Sequence, residues 1–305
     1  MIEIFKDTKD LRTTVKINAS LAFENLMPYI EDAYEKYILP YVGEALMLKI
    51  AQEPDGRAFT LVRRALGPLA VALASPELAI ALGDSGHTVV RNDKATVASD
   101  AKIIKAEESM AERGWRNLES LLELFASDAV TFEEWTESQY YKRQSKWHYF
   151  NSAKEFQDLG KVDIAYSRLT FEKLRPAIDR YEMVVCQKLT PVLDTKLKAE
   201  MATPGDSILS ELLSYVRLLI ASGVAAVYSS QKTREQRASP GWVEYQPVFY
   251  PLFNDVTNAG NYYAEQQEYW LNMITEFMLR YAVELGLSVV VKDDFNDKEK
   301  HMFAT

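Results

Sequence analysis

Cysteine is almost missing from this chain: Cys186 stands alone among 305 residues. An intramolecular disulfide and any multi-cysteine zinc site are thereby excluded, and nothing demands an oxidising compartment. Histidine is nearly as scarce, with only His87, His148 and His301. No His-x-x-x-His pair, repeated Cys spacing or Gly-rich phosphate loop occurs, so neither metal nor cofactor is expected. Positive charge is in deficit as well. Thirty-five Lys and Arg face 44 Asp and Glu, a net charge of −9. Such a balance argues against a surface that coats nucleic acid, while leaving room for one that DNA slides past. Long uninterrupted apolar runs are also lacking. The most apolar stretch, Leu66 to Leu82, carries Pro68, Pro76 and Glu77, and reads as a buried helix rather than a membrane span. Residues 1–7 show neither the basic start nor the apolar core of a secretory signal, which predicts synthesis in the cytoplasm.

What the chain does contain is an echo of itself. Leu21-Ala22-Phe23-Glu24-Asn25-Leu26-Met27-Pro28-Tyr29-Ile30 returns as Leu169-Thr170-Phe171-Glu172-Lys173-Leu174-Arg175-Pro176-Ala177-Ile178, with six of the ten positions identical. Upstream, Phe5, Lys9, Asp10 and Leu11 correspond to Phe150, Lys154, Glu155 and Phe156. Val15 and Ile17 correspond to Val162 and Ile164. A repeat of this kind means two copies of one supersecondary unit.

Each copy predicts the same series. An extended lead-in is followed by a helix whose apolar stripe runs through Leu26, Ile30, Ala33, Tyr34, Tyr37 and Ile38, or through Leu174, Ile178, Tyr181 and Val185. Pro28 and Pro176 are expected near the helix starts. A second helix follows Pro40 or Pro191, with Leu46 matching Leu197. Then comes the most apolar helix, Phe59 to Ala74 or Ile208 to Tyr228. Asp206-Ser207 reads as an N-cap, and Gly67-Pro68 predicts a kink or break. Extended segments at 87–91 and 241–250 are expected as short β-hairpins. A closing helix carries Trp115, Leu118 and Leu122, spaced as Trp270, Met273 and Phe277. The expected fold is mainly α: an internally duplicated helical unit, each copy with a short β-hairpin before its last helix. Its boundaries are 1–128 and 150–287 for the two copies, 129–149 for the segment between them, and 288–305 for a charged tail.

No catalytic constellation emerges. Gly83-Asp84-Ser85-Gly86-His87 reads as a turn leading into a strand, because a histidine two residues from a serine rarely reaches it as a base. Cys186 aligns with Ile38 and is expected as a small buried hydrophobe. Asp293-Asp294-Phe295-Asn296-Asp297 lacks the glycine and terminal glutamate of a calcium loop. The chain is not expected to be an enzyme. The unusual segments are aromatic. Tyr140, Tyr141, Lys142, Arg143 and Trp147 read as a seam between domains or subunits, with nucleic acid or a peptide or glycan groove as alternatives. Trp242, Tyr245 and Phe249, together with the strand-like Val89, Val90 and Val290, complete the candidate interface.

The pattern Phe5 to Leu11, then Leu26-x-Pro28-x-Ile30 through Tyr37-Ile38-x-Pro40-x-Val42-Gly43, resembles an uncharacterised family of similar length found in Bacteroidetes and their phages and prophages. The repeated unit is also similar in architecture to the helical head–tail connector proteins of tailed phages. That resemblance implies a structural virion protein, a neck adaptor assembling as a ring of identical subunits between portal and tail, with DNA passing through without sequence-specific binding and no membrane partner. It implies no catalytic residues. The chain would occupy the virion, and the host cytoplasm before assembly. The alternative is a non-enzymatic cytoplasmic helical module that binds a partner through residues 140–150.

Overall fold

The computed structural model describes residues 3–18, 21–78, 80–83, 86–89, 100–144, 149–235, 243–245, 247 and 256–287. Among these the chain is mainly helical. The first unit begins with α1 (Thr8–Leu11), capped by the Asp7 side chain, which accepts from Asp10 N. Helix α2 (Met27–Ala33) carries Pro28 in its first turn, as the sequence predicts. It runs into a wider π turn, Tyr34–Ile38, and on into α3 (Leu39–Val42). The Leu39 N–H reaches back to Tyr34 O. The wider turn makes room for Pro40, whose ring would meet the Lys36 carbonyl in a regular α-turn. Short α4 (Glu44–Ala51) buries Leu46, Met47 and Ile50. Then come the two long helices of the unit, α5 (Arg57–Leu78) and α6 (Asp100–Ser127), packed along each other.

Of the kink or break expected at Gly67-Pro68, no break occurs: α5 is continuous through Pro68 and Pro76. The Pro68 ring removes the hydrogen bond to Arg64 O, but Arg64 lies on the exposed side, within reach of water. Burial of Leu66, Leu69, Ala70 and Ala72 on the remaining faces holds the helix together. Arg63 pairs with Asp10 and lies over the Phe5 ring at 5.2 Å, fastening α5 to α1.

Between α5 and α6 a short antiparallel ladder pairs β1 (Ile80–Gly83) with β2 (Gly86–Val89). It does not establish one hairpin per copy. The corresponding residues described in the second unit, 243–245 and 247, are turn and irregular backbone. After α6, residues 133–137 form a 3₁₀ turn and α7 spans Gln139–Gln144. The Trp135 indole donates to Tyr41 O at 3.0 Å, and both Trp135 and Tyr140 join the first core. The segment expected to link the copies is therefore largely part of the first unit's packing.

The second unit runs α8 (Ala153–Gly160), α9 (Arg168–Lys188), α10 (Pro191–Ala202), α11 (Ser207–Glu235), α12 (Val256–Arg280) and α13 (Ala282–Leu285). Ser152 caps α8, Ser167 caps α9 and Thr190 caps α10, each by a side-chain oxygen that accepts from a backbone N–H three residues on. Asp206 does the same for α11, accepting from Ile208 N at 2.9 Å and Leu209 N at 3.2 Å, as expected. Because Ser167 starts α9 early, Pro176 lies inside that helix rather than near its start. Cys186 is exposed, which corrects its expected burial. Val185 takes the inward position, 1% exposed.

Two buried clusters result. One runs from Ile4 to Tyr140 and takes in Leu169 and Val243; the other runs from Tyr149 to Leu285. In the second, α11 packs along α12 and receives α9 across its face, much as α5 packs along α6 and receives α2. Among the described residues two helices, Arg57–Leu78 and Ser207–Ser229, are long and apolar enough to cross a membrane. Yet 72% and 56% of their apolar windows are buried inside the protein, as core helices would be.

Close helix approach is bought with glycine in both units. A Cβ on Gly114 of α6 would stand 2.6 Å from Leu69 Cγ and 2.9 Å from Ala65 O of α5. On Gly223 of α11 it would enter the Tyr181 ring at 2.4 Å. Gly114→Ala and Gly223→Ala are each expected to destabilise the fold by about 1–3 kcal/mol. Gly205→Ala, which meets nothing within 4 Å, should be neutral. Chemical denaturation of the three variants checks this.

Candidate functional site: the seam between the units

The most structured polar feature lies where α6 of the first unit meets the start of α9. Helix α6 turns Ala111, Trp115, Leu118, Leu122 and Phe125 into the first core. Glu119 follows Leu118 and faces the second unit. Its carboxylate accepts from Arg168 N at 2.6 Å, Leu169 N at 3.1 Å and Ser167 Oγ at 2.9 Å. These are the donors that a helix start leaves without an intrahelical partner, and the positive end of the helix favours an anion there. Glu119 thus caps a helix of the other unit, next to that helix's own cap, Ser167.

Tyr245 completes the arrangement from a third direction. Its hydroxyl lies 2.9 Å from Ser167 Oγ and 2.7 Å from Thr170 Oγ1. With Glu119 ionised the protons have one consistent order along this chain: Thr170 donates to Tyr245, Tyr245 to Ser167, and Ser167 to Glu119. The Tyr245 ring meets Trp115 edge-on at 5.5 Å, and Trp115 meets Tyr37 likewise at 5.2 Å. The Trp115 indole donates to Val243 O at 2.8 Å. Glu244 pairs with Lys36 at 2.6 Å. Residues 243–245 of the second unit are therefore held by the first unit's α6 and by the π turn after α2. Farther along, Arg143 of α7 pairs with Glu172 of α9 at 2.9 Å. Burial pushes the Glu172 carboxyl up, against the pull of Arg143 and Arg175.

The predicted interface residues fall unevenly on this frame. Tyr245 and Arg143 lie in the seam. Tyr140 has no exposed surface and packs against Tyr41 at 5.4 Å and Trp135 at 6.0 Å, inside the first unit. Its ring belongs to the first core. Tyr141 meets Trp135 at 5.3 Å, and exposed Lys142 pairs with Glu137. Val89 stands opposite Ile80 in the short ladder. Trp147, Trp242, Phe249, Val90 and Val290 lie outside the described residues, as does the tail 288–305. Among the seam residues that sequence reasoning missed are Glu119, Ser167, Thr170, Glu172 and Glu244. Only Ser167 carried a local signal, a serine just ahead of an apolar periodic run.

Chemically the seam binds structure to structure. Among the described residues it contains carboxylates, hydroxyls, two cations and rings, engaged with one another. No group of three His, Cys, Asp or Glu residues placed to hold a metal ion occurs among the described residues.

Residues 29–145 match the model of a family of unknown function, DUF6712; the match spans α2 through α7 and ends before the second unit. No curated protein and no solved structure matches the chain.

Two outcomes follow from the Glu119 geometry. Glu119→Ala strands the Arg168 and Leu169 N–H groups and should cost about 2–3 kcal/mol, read as a lowered midpoint in urea. The second concerns pH. Burial raises the Glu119 carboxyl above its ordinary 4.5, outweighing its bonds to Arg168, Leu169 and Ser167. The folded chain then holds that proton more tightly than the unfolded one. The stabilisation is present in full below the unfolded value and is lost as pH rises through the folded value. The stability advantage of wild type over Glu119→Gln should therefore shrink as pH rises from about 4.5. An advantage that grows over the same range would contradict burial as the dominant influence.

Proposed function

We propose that this chain is a structural protein of a tailed bacteriophage, a head–tail connector or neck adaptor that assembles as a ring between portal and tail. The observation that carries the reading is the parallel build of the two units, taken as an internal duplication. Positions matched in the sequence are buried in pairs: Phe5 with Phe150, Leu11 with Phe156, Val15 with Val162, Ile30 with Ile178 and Leu46 with Leu197. The caps Asp7 and Ser152 also correspond, each accepting from the N–H three residues on. Helices that close around a central apolar helix, built twice, enlarge a subunit without requiring a cleft. The resemblance to connector proteins supplies the phage context. The seam supports the same reading, because it joins the two units into one larger subunit, as a closed ring of identical copies would use. The acidic balance suits a lumen through which DNA passes without sticking.

The test is the mass of the purified protein in solution, followed by imaging with and without a candidate portal. The expected result is a ring whose mass is a multiple of 34.8 kDa, alone or on the portal. A monomer that ignores the portal would overturn the connector reading and leave a helical interaction module in its place.

A further inference from the structure

A cavity of about 560 Å³ opens between α8, α10, α11 and α12, and none of its lining residues belongs to the seam. That lies within the size range of pockets that hold one small organic molecule. Its walls are mostly apolar, with Leu159, Met201, Leu213 and Trp270 among them. Tyr215 of α11 stacks on the Trp270 ring at 5.7 Å and fixes its plane. Three ionisable side chains line the cavity: Lys161, Glu200 and Arg217. Glu200 is occupied by the fold. Its carboxylate accepts from Gly205 N at 2.9 Å, Asp206 N at 3.2 Å and Ser210 Oγ at 2.5 Å, closing the turn between α10 and α11. The Ser210 bond, and then the backbone ones, hold its carboxyl below the ordinary value, so it stays ionised at neutral pH.

The two cations are not tied down in this way. Arg217 gives Nε to Tyr149 O at 3.0 Å, which anchors the guanidinium plane. Among the described residues its terminal nitrogens have no acceptor. Glu155, the carboxylate whose charge reaches it, accepts instead from Asn151 N at 2.8 Å. Burial lowers the Arg217 guanidinium from its ordinary value, an effect that a countercharge in the cavity would relieve. Lys161, at the left-handed end of α8, has no ion-pair partner among the described residues. Asp158, which feels its charge, already holds Lys154. Two cations and one carboxylate leave the cavity one positive charge in excess, beside apolar walls. That balance favours a monovalent anion over a phosphate monoester, which carries about two charges at neutral pH. Aliphatic walls that include an adaptable methionine favour a flexible body over a rigid one. We infer that the cavity binds a small monocarboxylate with a flexible aliphatic body, of the medium-chain fatty acid class. Arg217 and Lys161 hold its carboxylate, and its chain lies against Met201, Leu213 and Trp270. The inference is independent of the connector reading.

Calorimetric titration of the full-length protein with octanoate tests it, with 1-octanol as the uncharged probe of the same length. Octanoate is expected to bind saturably, and on the order of tenfold more tightly than octanol. Arg217→Gln should weaken octanoate on the order of tenfold and leave octanol unchanged. Lys161→Asn, which suits the left-handed backbone there, should weaken octanoate by about threefold. Ser214→Trp fills the cavity from an exposed position on α11 and should abolish binding of both probes. Circular dichroism checks that each variant is folded. Lys161 and Ser214 are exposed, so those two variants carry the test if Arg217→Gln fails to fold. No saturable binding of octanoate, equal affinity for octanol, or indifference to Ser214→Trp would overturn the proposal.

Discussion

The architecture depends on one half-buried carboxylate, that of Glu119, held at the start of a helix that belongs to the other half of the chain. Glu119 answers two backbone N–H groups and the hydroxyl of Ser167 at once. An anion taken from water is costly unless its lone pairs are filled, and here the donors of α9 offset part of that cost. Neither unit satisfies this geometry alone. The same contact also fixes the direction in which α9 leaves the first unit. The cost of disturbing it is therefore shared by both cores.

Around that contact the packing is directional rather than merely greasy. Trp115 sits between two rings, Tyr37 and Tyr245, with its indole N–H spent on Val243 O. Each of these groups has an apolar body to bury and a polar edge that must find a partner. Such a cluster has few alternative arrangements, which makes the junction of the units stiff. Within each unit, the glycines of α6 and α11 bring backbones or rings close enough that a single methyl group has no room.

Much of this was legible in the sequence wherever period and capping chemistry act locally. The apolar stripes of α2, α9, α5 and α11 follow from spacing alone, and Asp206 announces its helix because a short acceptor must stand there. Legibility failed where a distant contact decided the outcome. Pro68 looks like a breaker, yet the buried faces around it keep α5 whole. Alignment with Ile38 placed Cys186 inside, but the π turn after α2 shifts the first unit's register, and α9, without such a turn, points Cys186 outward. Tyr140 reads as a seam residue because its segment lies where the two copies join; its burial inside the first core depends on Tyr41 and Trp135, remote from it or hidden in an irregular turn. Glu119 was invisible for a similar reason. A glutamate on an amphipathic helix reads as solvent-facing until the helix that it caps, roughly fifty residues on, is placed beside it.

The return of residues 243–245 to the first unit has a consequence for synthesis. Val243 belongs to the first core, so that core is incomplete until a segment 128 positions beyond Trp115 has been made. At roughly 5–20 residues per second, the indole of Trp115 waits on the order of 6–25 s for its acceptor. During that interval the nascent first unit shows an aromatic face to its surroundings. The ribosome thus delivers the closing piece late, and the time of greatest exposure falls before the chain is finished rather than after its release.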